Sequence, residues 1–289
     1  MLPFRCSLVA LALLAAAPFA QAQTDGLSAA DLRVYADGLE GPSDLLLLPD
    51  GRVLVAEEDA GRISVIAPGS LARTPLIEGL ARPRALLALP NGGGLLVGEV
   101  VDTGDGFAGR ISLIAPGTRT RTTFIEGIDP PSALLALPNN GGILVAEEGA
   151  GQVVRIAAGT RERTTLADGL LWPQALLALP NNGGVLVAET DRLQDGRITR
   201  IAPGTYERTP LADALSYPTA LLALPNGGGV LVAEWDADRV SLIAPGTRTR
   251  TTLARGFKQP SALLRLPDGR ILVAAHGDDD GVILAIPAP

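Results

Sequence analysis

A unit of roughly 40 residues recurs six times along the chain, and this repetition limits the possible folds more than any other feature. Within each unit, short apolar runs rich in Val, Ile and Leu alternate with Pro-Asn-Gly and Pro-Gly turns, which predicts four strands, named A to D in chain order. Repeated four-stranded units of this length are typical of propeller blades. The sequence therefore predicts an all-β, six-bladed β-propeller, with each unit marked by one recurring proline: Pro42, Pro83, Pro131, Pro173, Pro218 and Pro260.

The two ends of the chain complement each other. The sixth unit stops after its third strand, Gly281–Ile286, and a proline-rich ending follows. Its missing D strand has a counterpart near the N-terminus, where Leu32–Leu39 matches Thr164–Leu170, the D strand of the third unit. Because a blade that lacks a strand leaves an open edge, we expect the N-terminal strand to complete the last blade and close the ring.

Residues 1–22 have the features of a secretory signal peptide. Met1–Arg5 is short and positive, Ser7–Ala17 is almost wholly apolar, and Ala20–Ala22 is a small-residue cleavage site. The apolar core is too short for a spanning helix, and no later segment resembles one. These features predict a secreted or periplasmic protein in which residues 23–289 form a single propeller domain.

The predicted mature chain is acidic and has no thiol. Removing Arg5 from the 24 basic residues leaves 23 against 31 acidic residues, a formal charge of −8. Lysine occurs once, at Lys258, and no basic run is present, which argues against nucleic acid and anionic membranes as partners. The one cysteine, Cys6, lies in the predicted leader, so no disulfide is expected. We expect a monomer whose partner is a small molecule, a glycan or a protein.

The connections between strands differ in how much they vary among the units. A propeller places its A–B and C–D turns on one face and its B–C and D–A loops on the other. The A–B turns here are nearly uniform, and so are the C–D turns, such as Ala115–Thr118. The B–C loops differ in every unit, from the long Glu99–Arg110 to the short Glu147–Gln152. Since variable loops on a rigid scaffold carry most binding residues, the B–C and D–A face, hereafter the variable face, is the predicted binding face.

A glutamate ends strand B in five of the units, and each time a polar partner begins strand C. A ring of five carboxylates would suit a hard cation. The sixth unit lacks both members of the pair, however, and has Ala275 and Val282 instead. Joint presence and joint loss favour a structural bridge across the B–C hairpin. The predicted structural pairs are Glu57 with Arg62, Glu99 with Arg110, Glu147 with Gln152, Glu189 with Arg197, and Glu234 with Arg239.

Acidic loops on the variable face offer a second candidate metal site. Asp102 and Asp105 lie in a glycine-rich loop, and Asp278, Asp279 and Asp280 follow strand B of the sixth unit. Carboxylates of this kind are ligands for calcium, which is the one cofactor that the sequence suggests. Their spacing does not match an EF-hand, and Asp-Gly clusters are also ordinary turn residues, so both interpretations stay open.

Aromatic residues make up 3% of the chain, and this scarcity makes their positions informative. Trp172 and Tyr217 precede two repeat prolines, Trp235 follows a strand-B glutamate, and the lone His276 lies in the same kind of loop. Facing charged residues across the ring, they would form a cleft for a sugar, a peptide or a planar metabolite, or else pack between blades. The predicted ligand-binding residues are Asp44, Arg82, Arg84, Trp172, Tyr217, Trp235 and His276.

The stretch Pro49–Glu57, Pro-Asp-Gly-Arg-Val-Leu-Val-Ala-Glu, is followed by Gly61-Arg62-Ile63 and recurs as Pro267–Ala274. In these residues the chain resembles the NHL-repeat and gluconolactonase-like (regucalcin-like) group of six-bladed propellers, and it is similar to secreted propellers of the ScyD/ScyE type. The resemblance covers the predicted mature chain and lies in scaffold positions. It implies a six-bladed propeller in which the strand-B acidic residue is mainly structural.

The catalytic sites of these families have no counterpart in the sequence. Gluconolactonase-like enzymes hold a divalent metal with a Glu, two Asn and an Asp, and lyases of the virginiamycin type and quinone-dependent sugar dehydrogenases need histidine constellations that one histidine does not supply. We therefore predict a non-enzymatic binding or interaction module. A metal-dependent hydrolase or lactonase acting on a small sugar-derived substrate is the alternative, and a structural envelope protein is a third hypothesis. The asparagines that the metal site would need lie in A–B turns, on the other face: Asn91, Asn139, Asn140, Asn181, Asn182 and Asn226.

Overall fold

The structure is a computed structural model that describes residues 26–191, 193–277 and 280–287. In these residues the chain forms six antiparallel four-stranded sheets, which confirms the predicted all-β six-bladed propeller. The predicted signal peptide, residues 1–22, lies outside the described residues. No helix in the described part of the chain is long and apolar enough to cross a membrane.

The strands follow the predicted order A to D in every blade. Strand β1 spans Arg33–Leu39 and precedes the first blade. Blade 1 contains β2 (Pro42–Leu47), β3 (Val53–Glu57), β4 (Arg62–Ile66) and β5 (Arg73–Ile77). Blade 2 contains β6 (Pro83–Ala88), β7 (Leu95–Asp102), β8 (Phe107–Ile114) and β9 (Arg121–Ile128). Blade 3 contains β10 (Pro131–Ala136), β11 (Ile143–Glu147), β12 (Gln152–Ile156) and β13 (Arg163–Ala167).

The remaining blades continue in the same way. Blade 4 contains β14 (Pro173–Ala178), β15 (Val185–Thr190), β16 (Asp195–Ile201) and β17 (Arg208–Ser216). Blade 5 contains β18 (Pro218–Ala223), β19 (Val230–Glu234), β20 (Arg239–Ile243) and β21 (Arg250–Arg255). Blade 6 contains β22 (Pro260–Arg265), β23 (Ile271–Ala275) and β24 (Gly281–Ile286). Single 3-10 turns lie at Ala29–Asp31, Pro90–Gly92, Pro138–Asn140, Pro225–Gly227 and Trp235–Ala237.

The A strands line the axis of the ring. Each begins at a repeat proline, which suits the first residue of a strand because proline has no N–H to donate to a neighbouring strand. A strands of adjacent blades contact each other around the whole ring, so they enclose a central channel. The B strands are covered by blades on both sides, and β3, β11, β19 and β23 are buried at every residue. Burial on both faces explains why strand B reads as an uninterrupted apolar run.

The ring closes as the sequence predicts. Strand β1 pairs antiparallel with β24, from Arg33 opposite Ala285 to Leu39 opposite Gly281, and so supplies the D strand of blade 6. Tyr35 and Leu39 of this strand are buried in a cluster that includes Val53 of blade 1. The closing strand therefore belongs to the blade 6 sheet and to the packing between blades 6 and 1.

Hydroxyl groups on the second residue of the A strand join neighbouring blades. Each of these groups donates a hydrogen bond to the carbonyl of the next repeat proline, beside the channel. Blades 2 and 4 have Arg84 and Gln174 at this position, and their longer side chains are available for other contacts. The four hydroxyl bonds are Ser43 to Pro83 at 2.7 Å, Ser132 to Pro173 at 2.5 Å, Thr219 to Pro260 at 2.7 Å, and Ser261 to Pro42.

Candidate functional site

The structure brings each predicted strand-B glutamate together with its partner on strand C. All five glutamates are buried, with side-chain exposures of 0–1%. In blade 4, Glu189 Oε1 and Arg197 Nε have no hydrogen-bond partner among the described residues, so that pair is the least complete. The shortest contacts are Glu57–Arg62 at 2.8 Å, Glu99–Arg110 at 2.7 Å, Glu147–Gln152 at 2.7 Å, Glu189–Arg197 at 2.9 Å and Glu234–Arg239 at 2.9 Å.

Three of these carboxylates, those of Glu57, Glu99 and Glu234, stay ionised although they are buried. Burial by itself would raise the pKa of Glu234, but hydrogen bonds from Arg239 and Ser241 and from the Ser216 amide lower it below its ordinary value. The pKa values of Glu57 and Glu99 are lowered against the same opposing effect of burial, through their own arginine, serine and amide donors. Glu57, Glu99 and Glu234 are therefore buried anions whose hydrogen bonds hold strand C and the incoming D–A loop.

Each of four glutamates also holds the incoming D–A loop, a role that the sequence pattern did not predict. The donor is the backbone amide two residues before the repeat proline, from a segment that arrives from the preceding blade. The residue after this amide, immediately before the proline, is thereby fixed at the mouth of the channel. The contacts are Glu40 N to Glu57 at 2.9 Å, Ala81 N to Glu99 at 2.8 Å, Leu171 N to Glu189 at 2.9 Å, and Ser216 N to Glu234 at 3.0 Å.

The residue before the repeat proline adopts a left-handed backbone in five blades. The φ angles are 62° at Gly41, 43° at Arg82, 34° at Trp172, 51° at Tyr217 and 61° at Gln259. Non-glycine residues rarely adopt this conformation, and strained backbone of this kind concentrates at functional sites. The strain is maintained by the scaffold contacts on both sides of the residue.

The carbonyl of this left-handed residue in turn orients the first residue of the B–C loop. Trp235 N donates to Tyr217 O at 3.0 Å, and His276 N donates to Gln259 O at 3.2 Å. Glu58 N makes the corresponding bond to Gly41 O at 2.8 Å. The chain of contacts thus runs from the buried glutamates, through the D–A loops, to the side chains that begin the variable loops.

These side chains surround a cavity of about 460 Å³ at the mouth of the central channel, on the variable face. All six A strands contribute their second residue to its floor, which places the cavity on the axis of the ring. Its wall consists of residues from the B–C and D–A loops. The lining residues are Ser43, Glu58, Asp59, Arg82, Arg84, Ser132, Gln174, Gln194, Tyr217, Thr219, Trp235, Asp236, Ser261 and His276.

One side of the cavity carries a network of charged residues. Arg82 Nη2 lies 2.6 Å from Glu58 Oε1, and Arg84 reaches Glu58 at 3.2 Å and Glu148 at 2.5 Å. Gln174 Nε2 donates to Glu148 at 3.2 Å. Burial opposes the charge on Arg84, but the two glutamates raise its pKa above the ordinary value. The network therefore holds both arginines against carboxylates and fixes their positions.

The other side carries aromatic rings. The Trp235 ring meets the His276 ring edge to face, with centroids 4.5 Å apart, and lies 6.3 Å from the Tyr217 ring. Desolvation lowers the pKa of His276 and raises the pKa of Tyr217, so both side chains are neutral near pH 7. The cavity thus has an aromatic wall opposite a polar one.

Five of the seven predicted ligand-binding residues line this cavity: Arg82, Arg84, Tyr217, Trp235 and His276. The other two do not line it. The Trp172 carbonyl accepts a hydrogen bond from Gln174, and the Asp44 carboxylate accepts from the backbone amides of Leu45 and Leu86. Asp44 therefore ties blade 1 to blade 2 below the mouth of the channel.

Asp44 makes the stability of the protein depend on pH. Desolvation raises its pKa from 3.8 to about 7, although the two amide hydrogen bonds act in the opposite direction. Because the pKa is higher in the folded state than in the unfolded state, stability is lost as pH rises toward 7. We expect the unfolding free energy of the wild type, relative to Asp44→Ala, to fall by up to about 1.4 kcal/mol per pH unit between pH 5 and 7.

Urea unfolding of both proteins at pH 5, 6, 7 and 8 measures this difference. The matched control is Asp50→Ala, because hydrogen bonds from Arg52 lower the pKa of Asp50, which stays ionised over the whole range. Its difference from the wild type should be flat. If the difference in unfolding free energy between the wild type and Asp44→Ala were also independent of pH, the raised pKa of Asp44 would be contradicted.

The predicted calcium ligands are not assembled into a site in the described part of the chain. The Asp102 carboxylate accepts a hydrogen bond from the Gly104 amide at 2.8 Å, which is a turn contact. Of the three predicted ligands in blade 6, Asp278 and Asp279 lie outside the described residues, and Asp280 lies within them. Among the residues that are described, no group of three His, Cys, Asp or Glu side chains is placed to hold a metal ion.

The sequence-based prediction missed the lining residues Glu58 and Gln174, and also Glu148, which contacts Arg84 and Gln174. A signal for the two glutamates does exist. The position after the strand-B glutamate (Ala275 in blade 6) is nearly invariant in what precedes it but itself varies among the blades, as Glu58, Val100, Glu148, Thr190, Trp235 and His276. A position that varies beside a fixed one is held in place by the scaffold, but its side chain is not required for folding and is therefore a candidate for binding.

No protein-family model and no curated protein matches the sequence. Solved structures share its fold. A proposed glucose dehydrogenase from Thermus thermophilus is 20% identical, with 88% of this chain and 99% of that chain covered and a TM-score of 0.69. The PQQ-bound aldose sugar dehydrogenase of Streptomyces coelicolor is 15% identical, with 88% and 96% covered and a TM-score of 0.70. An auxiliary nutrient binding protein of Bacteroides thetaiotaomicron is 13% identical, with 86% and 69% covered and a TM-score of 0.69. At these identities the likeness shows the six-bladed propeller fold alone.

Proposed function

We propose that this protein is a non-enzymatic binding module that takes a small polar ring compound, of monosaccharide size, into the cavity at the mouth of its channel. The observation that carries the proposal is the meeting of variable repeat positions, Arg82, Tyr217, Trp235 and His276, in one cavity on a uniform scaffold. An aromatic wall opposite a polar wall suits a ring compound, which can stack on one and hydrogen-bond to the other. The cavity volume of about 460 Å³ lies within the range of small-molecule sites.

Two further observations support this proposal. The structures that share the fold include an aldose sugar dehydrogenase and a nutrient binding protein, so the same fold is found in a protein named for a sugar and in one named for a nutrient. The leader-like residues Met1–Arg5 and Ser7–Ala17 support a location in the periplasm or outside the cell, where a nutrient-type ligand would be met. We also propose, from the resemblance of Pro49–Glu57 to the NHL-type repeat, that the blades are of the NHL type.

The two tryptophans of the chain allow a matched test. Trp235 lines the cavity, whereas Trp172 lies on the same face without lining it. In a titration with a panel of monosaccharides, we expect Trp235→Ala to weaken binding of any sugar that the wild type binds by at least about tenfold, or ~1.4 kcal/mol. Trp172→Ala should bind like the wild type.

The titrations are followed by calorimetry, because each substitution removes a tryptophan and so changes the fluorescence of the protein whether or not binding is lost. Melting temperatures show whether both variants are folded. If Trp235→Ala and Trp172→Ala changed sugar affinity equally, the cavity would not be the binding site and the proposal would be wrong. Turnover of a bound sugar lactone that depends on added calcium would instead favour the metal-dependent hydrolase or lactonase.

A further inference from the structure

The charged residues of the cavity do not balance. Counting Glu148, which pairs with Arg84, the site has four carboxylates, Glu58, Glu148, Asp59 and Asp236, against two guanidinium groups. Arg82 and Arg84 are engaged by Glu58 and Glu148 at 2.5–3.2 Å. Among the described residues of the site, the remaining two carboxylates give a formal net charge of −2.

The other two carboxylates, Asp59 and Asp236, are exposed to the cavity mouth and form no hydrogen bond or ion pair with the described residues. Desolvation raises the pKa of Asp236, and the nearby Asp238 adds to this effect. Asp59 lies against Gly41, where a Cβ would collide with its carboxylate. Blade 1 therefore has glycine at the position where other blades carry Arg82, Trp172 or Tyr217, and the vacated space holds a carboxylate.

Both carboxylates lie beside the aromatic wall. Asp236 directly follows Trp235, and the negative charge of Asp59 acts on the His276 ring. The neutral His276 imidazole cannot compensate either charge. Aromatic faces and carboxylates together form the environment that stabilises an organic cation, because the ring quadrupole and the anion both attract it. A metal ion would gain less here, since rings are poor ligands for hard cations.

We propose that the ring compound bound in this cavity carries an ammonium group, held by the Trp235 and Tyr217 rings and by the Asp59 and Asp236 carboxylates. This inference rests on the proposed function, since it names the ligand class of the same site. The Arg82–Glu58–Arg84–Glu148 network on the opposite side presents hydrogen-bonding groups to the remainder of the ligand. An amino sugar combines these features within the volume of the cavity.

The test compares D-glucosamine with D-glucose and N-acetylglucosamine by calorimetry at pH 6.5. The three sugars share a ring and differ at one substituent, which is charged in the first alone. We expect glucosamine to bind at least about tenfold more tightly than either neutral sugar. The double variant Asp59→Asn/Asp236→Asn should abolish this preference. The control Asp50→Asn/Asp268→Asn removes the same charge from A–B turns on the opposite face and should retain it.

The outcomes separate this inference from the proposed function. Equal binding of glucosamine and glucose, both still lost in Trp235→Ala, would overturn the ammonium inference and leave the sugar-binding proposal standing. A preference that survives in Asp59→Asn/Asp236→Asn would also overturn it. Failure of both glucosamine and choline to bind at up to about 100 mM would count against a cation site of any shape.

Discussion

Deletion of residues 31–39 should abolish the cooperative unfolding of the protein. These residues contain β1, which fills the fourth place in blade 6 and covers the open edge of β24. Tyr35 and Leu39, at 8% and 1% exposure, pack into the cluster shared with blade 1. Burial of two such side chains contributes about 1.5–3 kcal/mol each, which is a large part of a typical stability of 5–15 kcal/mol.

Thermal and urea unfolding followed by circular dichroism measures this effect. We expect the truncated protein to show a broad transition with a much smaller denaturant dependence than the wild type. The control is a circular permutant in which residues 27–40 follow Pro287 through a short glycine linker, so that the same strand reaches the same edge. It should regain the cooperative transition. A truncated protein that melts like the wild type would refute closure by β1 as the basis of stability.

Replacement of Glu234 by alanine should destabilise the protein by about 3–5 kcal/mol, because it leaves two partly buried arginines and the buried Ser241 hydroxyl without their acceptor. Glu234 is fully buried and receives hydrogen bonds from Arg239, Arg250, Ser241 and the Ser216 amide. By contrast, Asp268→Ala breaks an ion pair with Arg270 whose two side chains are about half exposed. This control should change stability by less than about 1 kcal/mol.

The Glu234 variant also has a local consequence. The Ser216 amide, which Glu234 accepts from, lies one residue before Tyr217. Loss of Glu234 should therefore release the backbone that positions the Tyr217 ring, in addition to weakening blade 5. Glu234→Gln keeps the shape of the side chain without its charge and should fall between Glu234→Ala and the wild type. Chemical denaturation at pH 7 ranks the four proteins. Equal losses for Glu234→Ala and Asp268→Ala would show that the buried carboxylate is not a structural strut.

The fold was predictable because each of its determinants is local and repeated. The spacing of the prolines predicts the number of blades, and the apolar runs of strand B predict the strands within them. The match of Leu32–Leu39 to Thr164–Leu170 predicts how the ring closes. Pairing of a glutamate with a partner in the facing strand was also readable, since Glu57 and Arg62 are five residues apart across one hairpin.

The cavity was less predictable because it depends on backbone geometry that no single unit reveals. Trp172 and Tyr217 occupy the same repeat position and share a left-handed backbone, yet Tyr217 lines the cavity and Trp172 does not. Glu58 and Glu148 come from different blades and meet on Arg84. Such a contact follows from the packing of three neighbouring blades around the axis, and sequence separation gives no indication of it.

The hydroxyl bonds beside the channel have a consequence for how the blades are held together. They join every pair of neighbouring blades except 2 with 3 and 4 with 5, and the Arg84–Glu148 ion pair spans the first of these gaps. At the second gap Gln174 turns toward Glu148 of blade 3, while Arg250 ties the outer rim to Ala214 at 2.7 Å. At this junction the A strands β14 and β18 pack against each other without a hydroxyl bond between described residues beside the channel, and the Ser216 amide joins blade 4 to Glu234 of blade 5. Around the channel, four junctions are thus held by a directional hydrogen bond and one by an ion pair, whereas the diameter of the channel beside Tyr217 is set by side-chain packing.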